Sequence, residues 1–243
     1  MIRPLAAALL ASGLLGAPAF AQSVPPAIAA AVSDSARPDT DKERDAMRKP
    51  GETLAFAGVK PGMTVAELGP GRGYYTRILA KAVGPGGKVY AIATTAQAGR
   101  PGGLDALNAL AAAYPNIKVV TVDFPTMMLP EKADLFWTTE NYHDFHNNGG
   151  DIAALDKAVF NNLKPGGVFY VEDHSAASGA GLAATSQFHR MDEAVAKTEL
   201  TTAGFKLDAE GDLLRNPADN KAASNSEAGH FASDRFMLRM KRP

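Results

Sequence analysis

The run Thr64-Val65-Ala66-Glu67-Leu68 passes directly into Gly69-Pro70-Gly71-Arg72-Gly73, and a helical pattern begins at Tyr74. A β-rich run, a glycine-rich bend and a helix, in that order, commit a chain to the unit from which parallel sheets are built. Glycines allow turn conformations closed to other residues and let a ligand touch bare main chain, while the helix start offers unpaired N–H groups. The junction therefore predicts a ligand site beyond the carboxyl end of the first strand. Its spacing excludes two ligand classes. A dinucleotide fingerprint needs its third glycine where Tyr74 stands, and no Gly-Lys-Ser/Thr follows as in a P-loop.

The same alternation continues down the chain. Strands are predicted over 64–68, 88–92, 117–122, 133–138 and 168–172, with helices between them to supply the crossovers. Tyr75, Ile78, Leu79 and Ala82 recur at helical spacing after the first strand, and Leu104, Leu107, Leu110 and Ala111 after the second. Asp151 fits the N-cap of a helix presenting Ile152, Leu155, Val159 and Leu163. A further helix near 189–203 precedes strands near 205–209 and 235–240, which can pair as an antiparallel edge. The fold class expected is α/β, a doubly wound sheet with helices on both faces.

Composition bounds the chemistry. With 243 residues and 46% hydrophobic residues the chain can bury one large core, and 25 basic against 26 acidic residues give no global pull toward nucleic acid or anionic lipid. The absence of cysteine excludes disulfides, cysteine-ligated zinc and a thiol nucleophile. Residues 1–21 carry Arg3, an apolar run from Leu5 to Leu15 and the small-x-small end Ala19-Phe20-Ala21, the pattern of a secretory signal peptide cut after Ala21. The expectation is an exported, periplasmic protein without a membrane span in its mature chain. Residues 22–40 read as a flexible linker, followed by a polar helix from Asp41 toward Pro50 and one domain over 41–243.

The pattern Glu67-Leu68-Gly69-Pro70-Gly71-Arg72-Gly73, with its acidic residue two places before the first glycine, resembles the first motif of class I S-adenosylmethionine-dependent methyltransferases. So does the turn Leu163-Lys164-Pro165-Gly166-Gly167. The segments 69–76, 141–146, 171–174 and 213–219 are similar to an exported bacterial branch of that family known as predicted methyltransferases. The resemblance implies a Rossmann-like seven-stranded sheet with an antiparallel last strand, S-adenosyl-L-methionine as cofactor, and methyl transfer to a small molecule or an envelope component. It implies that Glu67 serves the methionine end of the cofactor and that the main chain of Gly69, Gly71 and Gly73 lines its carboxylate and sulfur. Tyr74 and Asn141 complete that set, and Asp123 meets the adenine amino group.

The sequence departs from the family where an acidic residue ordinarily binds the ribose hydroxyls. The second strand runs Val89-Tyr90-Ala91-Ile92-Ala93, and neither Asp nor Glu occurs between Glu67 and Asp105. Neutral hydrogen bonds from Thr94, Thr95 or Gln97 in its place cost about 1–2 kcal/mol against a charged acceptor.

Ligands of open parallel sheets lie beyond the carboxyl ends of the strands, which gathers Glu140 to His146 and Asp173-His174 into one place. His143 first, or His174, oriented by Asp144 or Asp173, suits a base that takes a proton from a methyl acceptor. The same atoms could hold a divalent metal or serve structure alone, and no metal ligand is assigned. Tyr75 and Trp137 read as packing, and His189-Arg190-Met191-Asp192 as a solvated first helical turn. Roles for Arg215, Asp219 and His230 stay open, as do the oligomeric state and two alternatives to methyl transfer, a non-enzymatic binding module and metal-assisted chemistry.

Overall fold

The computed structural model describes residues 23–147, 149–225 and 232–243; the signal-peptide segment and His230 lie outside them. The chain begins with α1 (Pro26–Val32), α2 (Asp39–Lys42), α3 (Asp45–Arg48) and α4 (Pro50–Ala57). Then come β1 (Thr64–Leu68), α5 (Tyr74–Val83), β2 (Lys88–Thr94), α6 (Thr95–Ala98), α7 (Asp105–Ala113) and β3 (Ile117–Val122). The second half holds β4 (Ala133–Thr139), α8 (Tyr142–Asn147), α9 (Ile152–Asn162), β5 (Leu163–His174), α10 (Ala183–Phe188), α11 (Glu193–Thr202), β6 (Lys206–Gly211) and β7 (Arg235–Lys241).

The sheet order is β3-β2-β1-β4-β5-β7-β6. Strands β1 to β5 pair in parallel, while β7 is antiparallel to both β5 and β6. The chain thus forms the doubly wound, Rossmann-like sheet that the strand–helix alternation predicts. The strand order reverses between β1 and β4, so the crevice beyond their carboxyl ends, at Gly69 and Asn141, is the topological switch point where such sheets bind ligands.

Period-2 alternation divides the core between the two faces. Val65, Leu135 and Trp137 face the layer of α1, α4, α5 and α7. Ala66, Leu68 and Phe136 face α8, α9 and α11. All five residues of β1 are buried, as a central strand covered on both faces must be. The stripes on α5 and α9 are buried as their spacing requires. Asp151 caps α9 by accepting a hydrogen bond from Ala154 N at 2.9 Å. Strand β5 starts earlier than its β-branched run, because Leu163 pairs with Ala133 ahead of a bulge and Gly166 N donates to Arg242 O at 2.9 Å.

Two expectations need correction. The segment 23–40 is packed structure rather than a flexible linker: Ile28 and Ala31 on α1 are buried against the core, and Arg37 grips Asp45 with two hydrogen bonds of 2.6 and 2.7 Å. Burying Ile28 alone contributes about 1.5–3 kcal/mol. The polar helix expected from Asp41 is broken into the single turns α2 and α3, with Lys49 in the left-handed region at φ 42° before α4. Ion pairs, not helix propensity, shape this stretch, since Arg77 also reaches Asp41 at 2.8 Å. Among the described residues no helix is long and apolar enough to cross a membrane.

Candidate active site

Two chambers meet at the switch point. The smaller, about 210 Å³, lies over the glycine loop and is lined by Asp41, Arg44, Arg48, Glu67, Gly71 and Tyr74 among others. The larger, about 650 Å³, runs along the ends of β2 and β3 past Thr94, Gln97, Asp123 and Phe124 to Asp144. Gly69 and Asn141 border both. Asn141 is fixed there because its Nδ2 donates to Gly69 O at 3.1 Å and to Thr139 O at 2.6 Å. The larger chamber alone falls within the roughly 300–1,000 Å³ of small-molecule sites.

The glycines of the loop have different reasons to be glycine. Gly71 has φ +55°, and a Cβ built on it meets nothing within 4 Å, so its main chain faces open volume. Gly73, at φ +86°, is the N-cap of α5, and a Cβ there would overlap Leu110 Cδ1 on α7. Gly71 is therefore kept bare toward the chamber, whereas Gly73 permits helix–helix packing.

Glu67 is buried at the end of β1, where its Oε2 accepts from Thr76 Oγ1 at 2.6 Å. Burial pushes its carboxyl up to about 7, although the Thr76 hydrogen bond and the charge of Arg48 pull the other way. Tyr74 lines the smaller chamber, with cations of the protein already against its ring. Its hydroxyl donates to Asp45 at 2.6 Å, and the guanidinium carbons of Arg48 and Arg44 stand 4.9 and 5.2 Å from its ring centroid. Tyr75 packs on Trp137 with centroids 4.8 Å apart, and both are core residues.

Beneath the smaller chamber lies a charge network that composition did not reveal. Arg48 pairs with Glu140, and Arg235 Nη1 bridges Glu140 at 3.0 Å and Glu172 at 2.9 Å. Arg235 Nη2 also donates to Met47 O at 2.5 Å. Glu140 sits at φ 57°, a left-handed conformation that a non-glycine residue keeps only when its surroundings hold it. Burial raises the Glu172 carboxyl against the lowering effect of Arg235. The available sequence signal was the spacing of Arg37, Asp41, Arg44 and Arg48 at intervals of three and four.

At the end of β2 the three neutral candidates are already engaged. Thr94 Oγ1 caps α6 by accepting from Gln97 N at 3.0 Å, Gln97 Nε2 donates to Gly103 O at 3.0 Å, and Thr95 Oγ1 donates to Asp123. That last bond brings the Asp123 carboxylate across to the end of the strand that lacks its own acid.

The histidine and carboxylate cluster converges as expected, with a different division of labour. Asp173 is fully buried and accepts from His143 N and His143 Nδ1, both at 2.7 Å, and from His174 N at 2.8 Å. His143 Nε2 then lies 3.4 Å from Asp144 Oδ1. Burial on its own would lower the His143 pKa, but the charge and hydrogen bond of Asp173 outweigh it and the net shift is upward. Neither His143 nor His174 lines either chamber; Asp144 does. His174 is fully buried, with Nδ1 2.5 Å from Ser233 Oγ.

Sequence reasoning also misjudged the turn before α11. His189 is left-handed at φ 49°, with Nδ1 3.5 Å from Asp144 Oδ1. Arg190 is completely buried rather than solvated, and binds Asp219 at 2.7 and 3.2 Å and Ser175 O at 3.0 Å. Arg215 reaches Glu193 at 2.5 Å and Ser175 Oγ at 3.0 Å, so Arg190 and Arg215 both anchor the segment between β6 and β7.

No family profile matches the sequence, and no curated protein matches it. Solved structures do resemble the fold. An S-adenosylmethionine-dependent methyltransferase from Aquifex aeolicus aligns with a TM-score of 0.61 at 18% identity, over 85% of this chain and 99% of the other. Fibrillarin from Aeropyrum pernix, solved with natively bound S-adenosyl-L-methionine, aligns with a TM-score of 0.51 at 15% identity, over 77% and 72%. The [4+2]-cyclase SpnF aligns with a TM-score of 0.59 at 14% identity, over 84% and 80%. At these identities the likeness is one of architecture, and the chain has the Rossmann-like fold of class I methyltransferases.

Proposed function

We propose that the protein is an S-adenosylmethionine-dependent methyltransferase acting on a small molecule or an envelope component, of the exported predicted-methyltransferase branch. The observation that carries this reading is the bare main chain at Gly71, which opens between a buried carboxylate, Glu67, and a chamber leading to Asp123. When bound, the cofactor supplies an electrophilic methyl group on a sulfonium. Glu67 receives its ammonium, and Arg44, which lines the same chamber, takes its carboxylate. Asp123, expected at the adenine amino group, is drawn by Thr95 to the end of β2, where we assign it to the ribose in place of the acid that β2 lacks. Asp144 is the acceptor-side residue: it lines the larger chamber and its carboxylate takes the acceptor's proton, with His143 Nε2, oriented by Asp173, 3.4 Å away. The pattern of residues 1–21 supports a periplasmic location.

Calorimetry of the protein with S-adenosylmethionine and S-adenosylhomocysteine tests this. We expect micromolar binding of both; no heat at about millimolar ligand, equivalent to less than roughly 4 kcal/mol of binding, overturns it. The missing acid on β2 favours one second reading, a binding module for another adenosine-like ligand. Tight nucleoside binding with no preference for the sulfonium would select it.

A further inference from the structure

The geometry points to a divalent metal site built from His143 Nε2, Asp144 and His189 Nδ1, fitted to a first-row transition ion. Among the described residues these three bring their ligand atoms within 4.8 Å of one another. Asp144 Oδ1 is 3.4 Å from His143 Nε2 and 3.5 Å from His189 Nδ1. Those separations exceed a good N–H···O hydrogen bond. They match co-ligands instead, since two atoms each about 2.0–2.1 Å from a tetrahedral ion stand roughly 3.4 Å apart.

The surroundings are those of a metal-binding histidine. Asp173 Oδ1 engages His143 Nδ1 at 2.7 Å, which fixes the ring orientation and leaves Nε2 directed at Asp144, the carboxylate–histidine arrangement that supports bound ions. His189 is held in its left-handed conformation with its backbone carbonyl accepting from Asn225 Nδ2 at 2.9 Å. Helices α8 and α10, which flank the site, are tied by Asn147 Nδ2 donating to Thr185 O at 2.9 Å. Helix α8 and the turn after α10 thus converge on one point, with Asp173 of β5 behind them, without depending on the ion to bring them together. The His189 side chain is 52% exposed and Asp144 borders the larger chamber, so the coordination sphere is open on the side where a substrate enters.

Two imidazoles and one carboxylate select ions of borderline softness, such as Zn²⁺, Co²⁺ or Fe²⁺, over Mg²⁺ and Ca²⁺. The site shares Asp144 with the methyl-transfer reading, but metal uptake is measured without cofactor, so the two fail separately. If both hold, Asp144 is engaged by the ion, and an acceptor hydroxyl coordinated there has its pKa lowered and releases its proton to solvent.

The test uses the whole chain, stripped with chelator and titrated with Zn²⁺ by calorimetry and with Co²⁺ by visible absorption. One equivalent of each is expected, with a cobalt d–d band whose intensity reports low coordination number. His189→Gly removes a ligand at a position glycine tolerates, and it should weaken Zn²⁺ binding at least about tenfold while leaving the far-ultraviolet spectrum unchanged. Asp144→Asn should do the same, Asp173→Asn should weaken binding about 10–100-fold through the orientation of His143, and His146→Gln should change nothing. No uptake at about 0.1 mM free Zn²⁺, or wild-type affinity in both His189→Gly and Asp144→Asn, overturns the proposal.

Discussion

Asp173 holds His143 by backbone and ring at once, with one carboxylate oxygen on the amide and the other on Nδ1. The side chain therefore fixes where α8 begins as well as which way its first histidine points. Asp173→Ala should leave these donors without partners and lower stability by about 2–4 kcal/mol, a drop of roughly 5–15 °C in Tm. Affinity for S-adenosylmethionine should change less than about threefold, because the Gly71 wall is untouched. Thermal denaturation and calorimetry on the same preparation check both halves.

The two glycines at 71 and 73 should separate binding from folding. Gly71→Val fills volume that is open in the protein and should weaken cofactor binding at least about 30-fold, with a backbone cost of only about 1–2 kcal/mol. Gly73→Val drives a side chain into Leu110 and should chiefly destabilise, by about 3 kcal/mol or more once the left-handed conformation is included. Equal effects of both on binding, with neither affecting stability, would contradict the assignment.

Glu67 gives a pH signature with a definite sign. Its folded value of about 7 lies above the ordinary 4.5, so the folded protein retains a proton that the unfolded chain gives up. Its contribution is therefore most favourable below the unfolded value and is lost as pH rises through about 7. Glu67→Gln should be the more stable protein at pH 8, by up to about 3 kcal/mol, with the advantage shrinking toward pH 4. Cofactor binding by the parent protein should tighten from pH 6 to 8 and release protons, measured as a dependence of the calorimetric heat on the ionisation enthalpy of the buffer.

Arg190 and Asp219 form a buried pair whose partners are not equivalent to remove. Asp219→Ala strands a guanidinium with no solvent exposure and should cost about 3–5 kcal/mol. Arg190→Met with Asp219→Asn should recover part of that loss, since the amide oxygen can still accept from Asp234 N or Lys221 N. Urea unfolding with matched m-values distinguishes a loss of stability from a change in compactness.

Legibility followed the range of the interaction. The glycine loop, the α5 and α9 stripes and the Asp151 cap are local patterns, and they are present in the structure where the sequence puts them. The wall made by Arg44 and Arg48 was hidden because its meaning depends on Glu140, which is 92 positions from Arg48. His189 and Arg190 looked like an ordinary helical first turn because no window of sequence contains Asp144 or Asp219 beside them. The same limit turned α1 into a linker: alanines and prolines disguised Ile28, whose burial is decided by α4 and α5. Of the candidate site, the residue types were legible but not which of them reach open volume; Asp144 does and His143 does not.

The grip of Arg235 on Met47, Glu140 and Glu172 sets a timetable for the growing polypeptide. The stretch that closes the smaller chamber is made early, yet its latch is carried by β7, made almost last. On the proposed function, a chain that stops short of residue 235 lacks the guanidinium that ties Met47 to Glu140 and Glu172, and with it a finished binding wall. A nucleoside added during refolding should therefore bind only after β7 has docked and leave the rate at which the central strands form unchanged.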